Sequence, residues 1–163
     1  MKNEGIVVLG IDPGYERVGI AVVVQLPQEK KAHVLYSHCF ITPKDIDLSG
    51  RILLIGDEVM KVIKEYSPIR LSIEKLYFTN NHKTAMGVAE ARGVIINQAK
   101  QSNLAIDEFT PPEIKLAVAG YGKADKKAVW HMTKALADIK TEVKYDDEMD
   151  AIAIALTSLA FNR

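Results

Sequence analysis

Residues 6–14 read IVVLGIDPG, an apolar and largely β-branched run that ends in an aspartate followed by Pro-Gly. A second apolar run, GIAVVV, follows at residues 19–24. β-Branched residues favour strands and Pro-Gly favours a turn, so this segment predicts a β-hairpin. The carboxylate of Asp12 then lies among buried side chains, where it needs a hydrogen bond, a cation or a metal as a partner. A turn-capping role for Asp12 is an equal alternative at this point, because Asp commonly bonds the backbone two residues further on.

The composition of the 163 residues predicts a single domain, residues 1–163, with a substantial core. Lys plus Arg equal Asp plus Glu at 21 each, and this neutrality argues mildly against a nucleic-acid binder. The charges are segregated, however, because five lysines lie between residues 115 and 134 and five acids between residues 142 and 150. This distribution fits a cation-binding site bordered by a basic surface.

Cysteine content and hydropathy restrict the compartment. Cys39 is the only cysteine, which excludes an internal disulfide and makes a cysteine-based zinc site implausible. The N-terminal residues lead into a strand without the apolar segment of a secretion signal. The longest apolar stretch near the C-terminus, residues 151–161, is too short to span a bilayer. We therefore expect a cytoplasmic protein that makes no membrane contact.

The hydrophobic periodicity predicts the element order β-β-β-α-β-α-β-α-α-α. After the first hairpin, strands are expected at residues 32–42, 69–76 and 104–109, and helices at residues 51–66, 84–101, 113–119, 125–137 and 147–159. Three strands thus form an antiparallel meander, and the later strands alternate with helices. This order predicts an α/β fold in which one mixed, five-stranded sheet is flanked by helices.

Three further acids repeat the pattern of Asp12. Glu74 also ends a strand-like run, although a single exposed acid on an alternating strand would look the same. Asp147 and Asp150 are three residues apart on a predicted helix and share a face with Ile154, so that face is the buried one. Acids at a helix N-terminus also stabilise the helix dipole. That explanation suits Asp150 poorly, because this residue begins an almost entirely apolar helix.

Buried acids from separate segments repel one another unless a cation joins them. Oxygen-only ligands, with no nearby Cys or paired His, favour Mg²⁺ or Mn²⁺ over zinc. Open carboxylate sites of this kind bind phosphates, and two ions about 3.5–4 Å apart activate a water and stabilise the leaving oxygen. The residues therefore predict metal-dependent phosphoryl chemistry and nothing more specific.

Four stretches of the chain form a recognisable set, namely GIDPG at residues 10–14, Ile73-Glu74, AEARGV at residues 89–94, and DEMDAIAIA at residues 147–155. Together they resemble the RuvC-type Holliday junction resolvases, a family with a ribonuclease-H-like fold. Their order and spacing agree over essentially the whole chain. The resemblance implies a homodimeric endodeoxyribonuclease that resolves four-way DNA junctions by symmetric paired nicks in recombination and repair. Metal-activated water would hydrolyse the phosphodiesters and leave 5′-phosphate and 3′-hydroxyl ends.

By the same resemblance, the catalytic and metal-binding residues are Asp12, Glu74, Asp147 and Asp150. Asp146 competes with Asp147 for the third position, because the acidic cluster allows a one-residue error in register. Asp12 would bridge two Mg²⁺ ions per subunit, and Mn²⁺ would substitute for Mg²⁺. A site that holds one ion is the alternative. No organic cofactor is expected.

The resemblance also assigns DNA contacts to Tyr77, Lys115 and Lys126. The family usually carries an aromatic, often Phe, where Tyr77 stands, and this side chain stacks on junction bases. One of Tyr77 and Phe78 is expected in the core, and we favour Tyr77 as the stacking residue. The two lysines fall where the family contacts phosphates. For the lysines at 123, 127 and 134, a solvated helix face is the alternative interpretation.

The predicted helix at residues 84–101 would supply much of the dimer contact. Small residues at positions 85, 87, 89, 91 and 93 permit a close approach to another helix, and they are equally consistent with packing on the protein's own sheet. Arg92 on this helix could serve DNA, an inter-subunit pair or an intrachain carboxylate. A branch-migration motor is the further partner that the resemblance suggests.

Competing functions are weighed by the same residues. Another ribonuclease-H-like metal-dependent nuclease, acting on RNA or DNA ends, would use the same acids and is the main alternative. Sugar kinases and chaperone-type ATPases begin with a similar strand-Asp-Gly turn, but they need a second lobe for which this chain is too short. A non-catalytic junction-binding protein predicts the loss of at least one acid, whereas all four positions hold Asp or Glu.

Overall fold

A computed structural model describes residues 5–76 and 82–162 of the chain. The strands are β1 (Ile6–Asp12), β2 (Arg17–Gln25), β3 (Ala32–Ile41), β4 (Arg70–Glu74), β5 (Ala105–Phe109) and β6 (Ala137–Asp138). The helices are α1 (Leu48–Tyr66), α2 (His82–Gln101), α3 (Pro111–Ala119), α4 (Lys126–Leu136) and α5 (Asp146–Phe161). The predicted order of elements is confirmed, with β6 as an addition.

The strands form one mixed sheet in the order β5-β4-β1-β2-β3-β6. β1, β2 and β3 are the expected antiparallel meander, and β4 and β5 join parallel to β1. The α/β architecture with a mixed sheet flanked by helices is therefore confirmed. The sheet has six strands rather than the five predicted, because β6, which has two residues, pairs in parallel with the start of β3 at the sheet edge. A strand this short carries no periodicity, which is why the sequence predicted helix up to Ala137.

The alternation of side chains along β1 divides the core into two halves. Leu9 and Ile11 pack with α1 and α2 on one face of the sheet. Val8 packs with α3, α4 and α5 on the other face. Because successive side chains of a strand point to opposite faces, Asp12 at the end of β1 belongs to the face of Val8, which α5 covers.

Helix α5 crosses β1 and β2 at close range because glycines lie beneath it. A side chain on Gly10 would collide with the main chain of Ala151, and one on Gly19 would collide with the main-chain oxygen of Asp147. The hydroxyl of Ser72 on β4 also donates a hydrogen bond of 2.7 Å to the main-chain oxygen of a residue in α5, Ile154. These contacts place the first turn of α5 over the ends of β1 and β4.

Capping residues set the starts of two helices. α1 begins at Leu48, three residues before its predicted start, because the Asp47 side chain accepts a hydrogen bond from the Gly50 amide over 2.9 Å. α3 begins with Pro111 after Thr110, which forms a reciprocal capping box with Glu113. Within the described parts of the chain, no helix is long and apolar enough to cross a membrane.

Candidate active site

Asp12 and Glu74 lie at adjacent ends of two parallel strands. The register of β1 and β4 pairs Gly10 with Ser72 and Ile11 with Ile73, so the strands end together at the two acids. Ser72 contacts α5, and the two-residue period of a strand puts Glu74 on that same face. Two carboxylates from separate segments are thus directed at the N-terminal end of α5.

The first turn of α5 brings Asp147 and Asp150 to the same end of the sheet. The main chain of Asp147 lies against Gly19, which pairs with Asp12 across β1 and β2. Asp146 lies further out, with a side chain that is 58% exposed and bound to Lys126 over 3.0 Å. The geometry therefore favours Asp147 over Asp146 as the third acid beside Asp12.

The pKa of Asp12 reflects its burial and the proximity of the other three acids. Burial, above all, raises the pKa of the Asp12 carboxyl to about 8. The negative charges of Glu74, Asp150 and Asp147 raise this pKa further, in that order, and the ammonium of Lys126 opposes them. Asp12 is therefore a half-buried acid inside a field of like charge, which a bound cation would neutralise.

Glu74 and Asp150 have the same character. Burial raises the pKa of Glu74, the charge of Asp150 adds to the rise, and Lys115 counteracts it. Burial also raises the pKa of Asp150, against a hydrogen bond from Trp130 and the charge of Lys126. Both predicted DNA-binding lysines are thus close enough to the acids to change their ionisation.

Four of the predicted site residues line one cleft of about 250 Å³ between α3, α4 and α5, namely Glu74, Lys115, Lys126 and Asp150. Ile114, Val129 and Ile154 form its apolar wall. The cleft is open to solvent beside the acids, and its two lysines lie on two different helices. Such an arrangement can hold a phosphate next to a carboxylate cluster.

The donor set of this site fits a hard cation, because all four acids offer carboxylate oxygens. Among the side chains that the structure describes, in residues 5–76 and 84–162, no three His, Cys, Asp or Glu side chains already converge on a single metal position. Asp150 contacts Lys126 over 3.5 Å and Trp130 over 3.3 Å instead. The carboxylates thus surround a common region without closing on one point.

Two residues beside the acids escaped the sequence analysis. Arg17, the first residue of β2, forms an ion pair with Asp147, 130 positions away along the chain. No local sequence pattern predicts a contact between residues so far apart along the chain. Trp130 donates its indole N–H to Asp150 and carries Lys126 over its ring at 5.3 Å. Its position four residues after Lys126, on the same face of α4, was a signal that could have revealed it.

The predictions for Arg92 and Tyr77 differ in what the structure says about them. Arg92 pairs with Glu108 and donates a hydrogen bond to the main-chain oxygen of Glu74, so its partners lie within the chain. Tyr77 lies outside the described residues, and its stacking role stays a prediction.

The fold and the four acids define a class before any comparison. A mixed sheet with an antiparallel meander, followed by parallel strands whose ends carry carboxylates beneath an acidic helix start, is the ribonuclease-H-like arrangement. The family model of "Crossover junction endodeoxyribonuclease RuvC" matches residues 8–158. The chain therefore belongs to the RuvC family of crossover junction endodeoxyribonucleases.

Individual relatives agree with this assignment. The chain is 38% identical over 152 residues to the crossover junction endodeoxyribonuclease RuvC of Fusobacterium nucleatum, an alignment that covers 93% of this chain and 79% of the relative. It is 40% identical over 150 residues to the RuvC of Halothermothrix orenii, with 92% and 90% covered. Among solved structures, the T. thermophilus RuvC in complex with a Holliday junction substrate superposes with a TM-score of 0.90 at 28% identity, covering 97% of this chain and 95% of that one.

Proposed function

We propose that this protein resolves Holliday junctions by nicking two strands of a four-way DNA junction symmetrically. The observation that carries the proposal is the surrounding of Asp12 by the charges of Glu74, Asp147 and Asp150 at one end of the sheet. The same four acids are the ones that the family resemblance selects. Family membership over residues 8–158 also supports treating the whole chain, residues 1–163, as one nuclease domain.

The four acids would hold the catalytic metal, which we propose to be Mg²⁺, with Mn²⁺ as a substitute. When bound, the ions supply the activated water and the stabilisation of negative charge that phosphodiester hydrolysis requires. Asp12 is the central ligand in this scheme, because, in addition to its burial, the negative charges of all three other acids raise its pKa. Two ions per subunit, held by Asp12, Glu74, Asp147 and Asp150, would balance the charge of the four carboxylates.

Lys115 and Lys126 would bind the phosphates of the strand to be cut. Their ammonium groups lie in the cleft with Glu74 and Asp150, so a phosphate there would be held between cations and the acid cluster. Lys126 pairs with Asp146 and Asp150 in this structure, and it would contact the phosphate in place of these acids when DNA is bound. Tyr77 would stack on a base at the crossover.

Symmetric nicking requires two copies of the chain, and we propose α2 as the main dimer contact. Its small residues divide between two faces. Ala91 is buried in the protein's own core, whereas a Cβ added to Gly93 would meet nothing within 4 Å, and nearby Met86 is 66% exposed. The exposed face is therefore available to a second copy. A branch-migration motor as partner and a cytoplasmic location stay predictions of the sequence.

The decisive experiment incubates the protein and Mg²⁺ with a synthetic four-way junction, a linear duplex and an RNA–DNA hybrid of matched sequence. We expect paired nicks in the junction alone, at symmetric positions, and products that DNA ligase reseals because they carry 5′-phosphate and 3′-hydroxyl ends. Equal cutting of all three substrates would refute junction resolution in favour of a general ribonuclease-H-like nuclease.

Two matched variants test the assignment of the acids independently of the choice of substrate. Asp12→Asn should bind the junction without cutting it, whereas Asp57→Asn, on the exposed surface of α1, should cut normally. An Asp12→Asn protein that still cuts the junction would refute the assignment of the acids.

A further inference from the structure

Arg17 connects the hairpin to the start of α5 through two contacts, with Asp147 and with Tyr145. Its guanidinium donates a hydrogen bond to Oδ2 of Asp147 and forms an ion pair with it. The same guanidinium lies over the ring of Tyr145, with 5.2 Å between its central carbon and the ring centroid. The thiol of Cys39 on β3 lies 3.8 Å from the same carboxylate oxygen.

Both of these contacts with the Asp147 carboxylate go to one oxygen, because Oδ2 accepts from the guanidinium and from the thiol. Tyr145 is the residue before α5 and has no side-chain capping bond of its own, so its ring is free to hold the guanidinium. The cation is thus held beside Asp147 by two groups at the start of α5, the carboxylate itself and the ring of Tyr145.

We propose that Arg17 is an internal counter-ion of Asp147 that competes with divalent cations for this carboxylate. The inference rests on the proposed metal site. A positive charge beside a ligand carboxylate opposes a second positive charge on it, so Arg17 raises the metal concentration at which the site fills. In return, the guanidinium screens Asp147 from Asp12 when no divalent cation is bound.

The side chain of Arg17 is 46% exposed and that of Asp147 is 23% exposed, so solvent screens the pair. We therefore expect a moderate effect on metal affinity, roughly three- to tenfold rather than orders of magnitude. In this proposal, Arg17 positions the carboxylate of Asp147, a metal ligand, and makes no contact with DNA.

The test compares wild type with Arg17→Gln and Arg17→Lys, measuring the melting temperature and isothermal titration calorimetry with MgCl₂ or MnCl₂. Lys61→Gln is the matched control, because Lys61 gives up one charge from an exposed ion pair with Glu58 on α1. We expect Arg17→Gln to melt below wild type in EDTA, to bind Mg²⁺ roughly three- to tenfold more tightly, and to gain more melting temperature on metal addition. Arg17→Lys, which keeps the charge, should stay near wild type.

The outcomes separate this inference from the proposed metal site. A lower melting temperature for Arg17→Gln at every metal concentration, with unchanged metal affinity, is the result of a purely structural residue and would overturn the inference alone. Weaker metal binding by Arg17→Gln would overturn it as well, because Arg17 would then assist the ion. A wild-type protein that binds neither Mg²⁺ nor Mn²⁺ would overturn the metal site together with the inference.

Discussion

Arg92 on α2 donates a hydrogen bond of 3.1 Å to the main-chain oxygen of Glu74, the last residue of β4. The guanidinium also pairs with Glu108 on the neighbouring strand β5, and its side chain is only 15% exposed. One arginine therefore fixes the end of β4 against both the adjacent strand and the helix that we propose for the dimer contact. Of the three roles that the sequence left open for Arg92, the intrachain carboxylate is the one that the structure shows.

Replacing Arg92 should slow cleavage through Glu74. Arg92→Ala removes the donor to the Glu74 main chain, and Arg92→Lys replaces the planar guanidinium, whose Nε and Nη2 reach two separate partners, with one compact ammonium. We expect kcat to fall roughly tenfold in both variants with little change in KM, because a misplaced ligand costs rate rather than binding. Single-turnover cleavage of a four-way junction measures this. Glu108→Gln, which keeps the Arg92 bond to the main chain, should lose less than either, and an equal loss would place the effect in the ion pair.

Replacement of Asp147 should reduce junction cleavage far more than replacement of Asp146. Asp147→Asn removes a carboxylate beside Asp12 and should reduce junction cleavage by more than about 100-fold. Asp146→Asn removes only an exposed partner of Lys126 and should keep cleavage within about threefold of wild type. Cleavage rates at saturating Mg²⁺ decide between them. The reverse order would move the third ligand by one residue and would correct the register of the site.

Asp12 should cost the protein stability as the pH rises when a chelator removes divalent ions. Its pKa is about 8 in the folded protein against an ordinary value of 3.8, so between about pH 4 and pH 8 the folded state binds more protons than the unfolded state. The free energy of unfolding therefore falls as the pH rises through that window. Asp12→Asn cannot ionise and should be more stable than wild type by about 2–4 kcal/mol at pH 8 in EDTA.

Urea unfolding at pH 5 and pH 8 in EDTA measures this difference. The gap between Asp12→Asn and wild type should be small at pH 5 and large at pH 8. The exposed control Asp57→Asn should follow wild type at both pH values. Parallel unfolding curves for Asp12→Asn and wild type at the two pH values would contradict the raised pKa.

Gly19 should tolerate no side chain, because a Cβ there meets the main-chain oxygen of Asp147 and also comes within 3.2 Å of the Asp12 side chain. Gly19→Ala must displace the start of α5, so we expect a loss of about 2–4 kcal/mol in stability and a loss of junction cleavage. Gly93→Ala is the matched substitution on α2, where the added methyl meets nothing within 4 Å. It should stabilise the folded chain by about 0.5–1 kcal/mol.

Urea unfolding of both glycine variants gives the stabilities, and sedimentation gives the oligomeric state. A stable and active Gly19→Ala protein would show that α5 does not lie as close to the sheet as the structure has it. A Gly93→Ala protein with altered dimerisation would support the exposed face of α2 as the contact between copies.

Local patterns in the chain were enough to obtain the element order and the candidate acids. The apolar run before Asp12 and the similar run before Glu74 place each acid at a strand end, since period and turn chemistry act over a few residues. The two-residue strand β6 and the early start of α1 after Asp47 were missed. The first carries no periodicity, and the second depends on a capping bond rather than on apolar spacing.

Contacts between distant segments could be read only from the folded chain. The pairing of Arg17 with Asp147 joins residues 130 positions apart, and that of Arg92 with Glu74 joins a helix to a strand end. Neither has a sequence signal, because the partners meet through the packing of α2 and α5 on opposite faces of the sheet. Sequence thus placed the acids on their elements through short-range propensity. The raised pKa values of Asp12, Glu74 and Asp150, and the counter-ions of the site, follow from burial and distance, which exist only after the chain has folded.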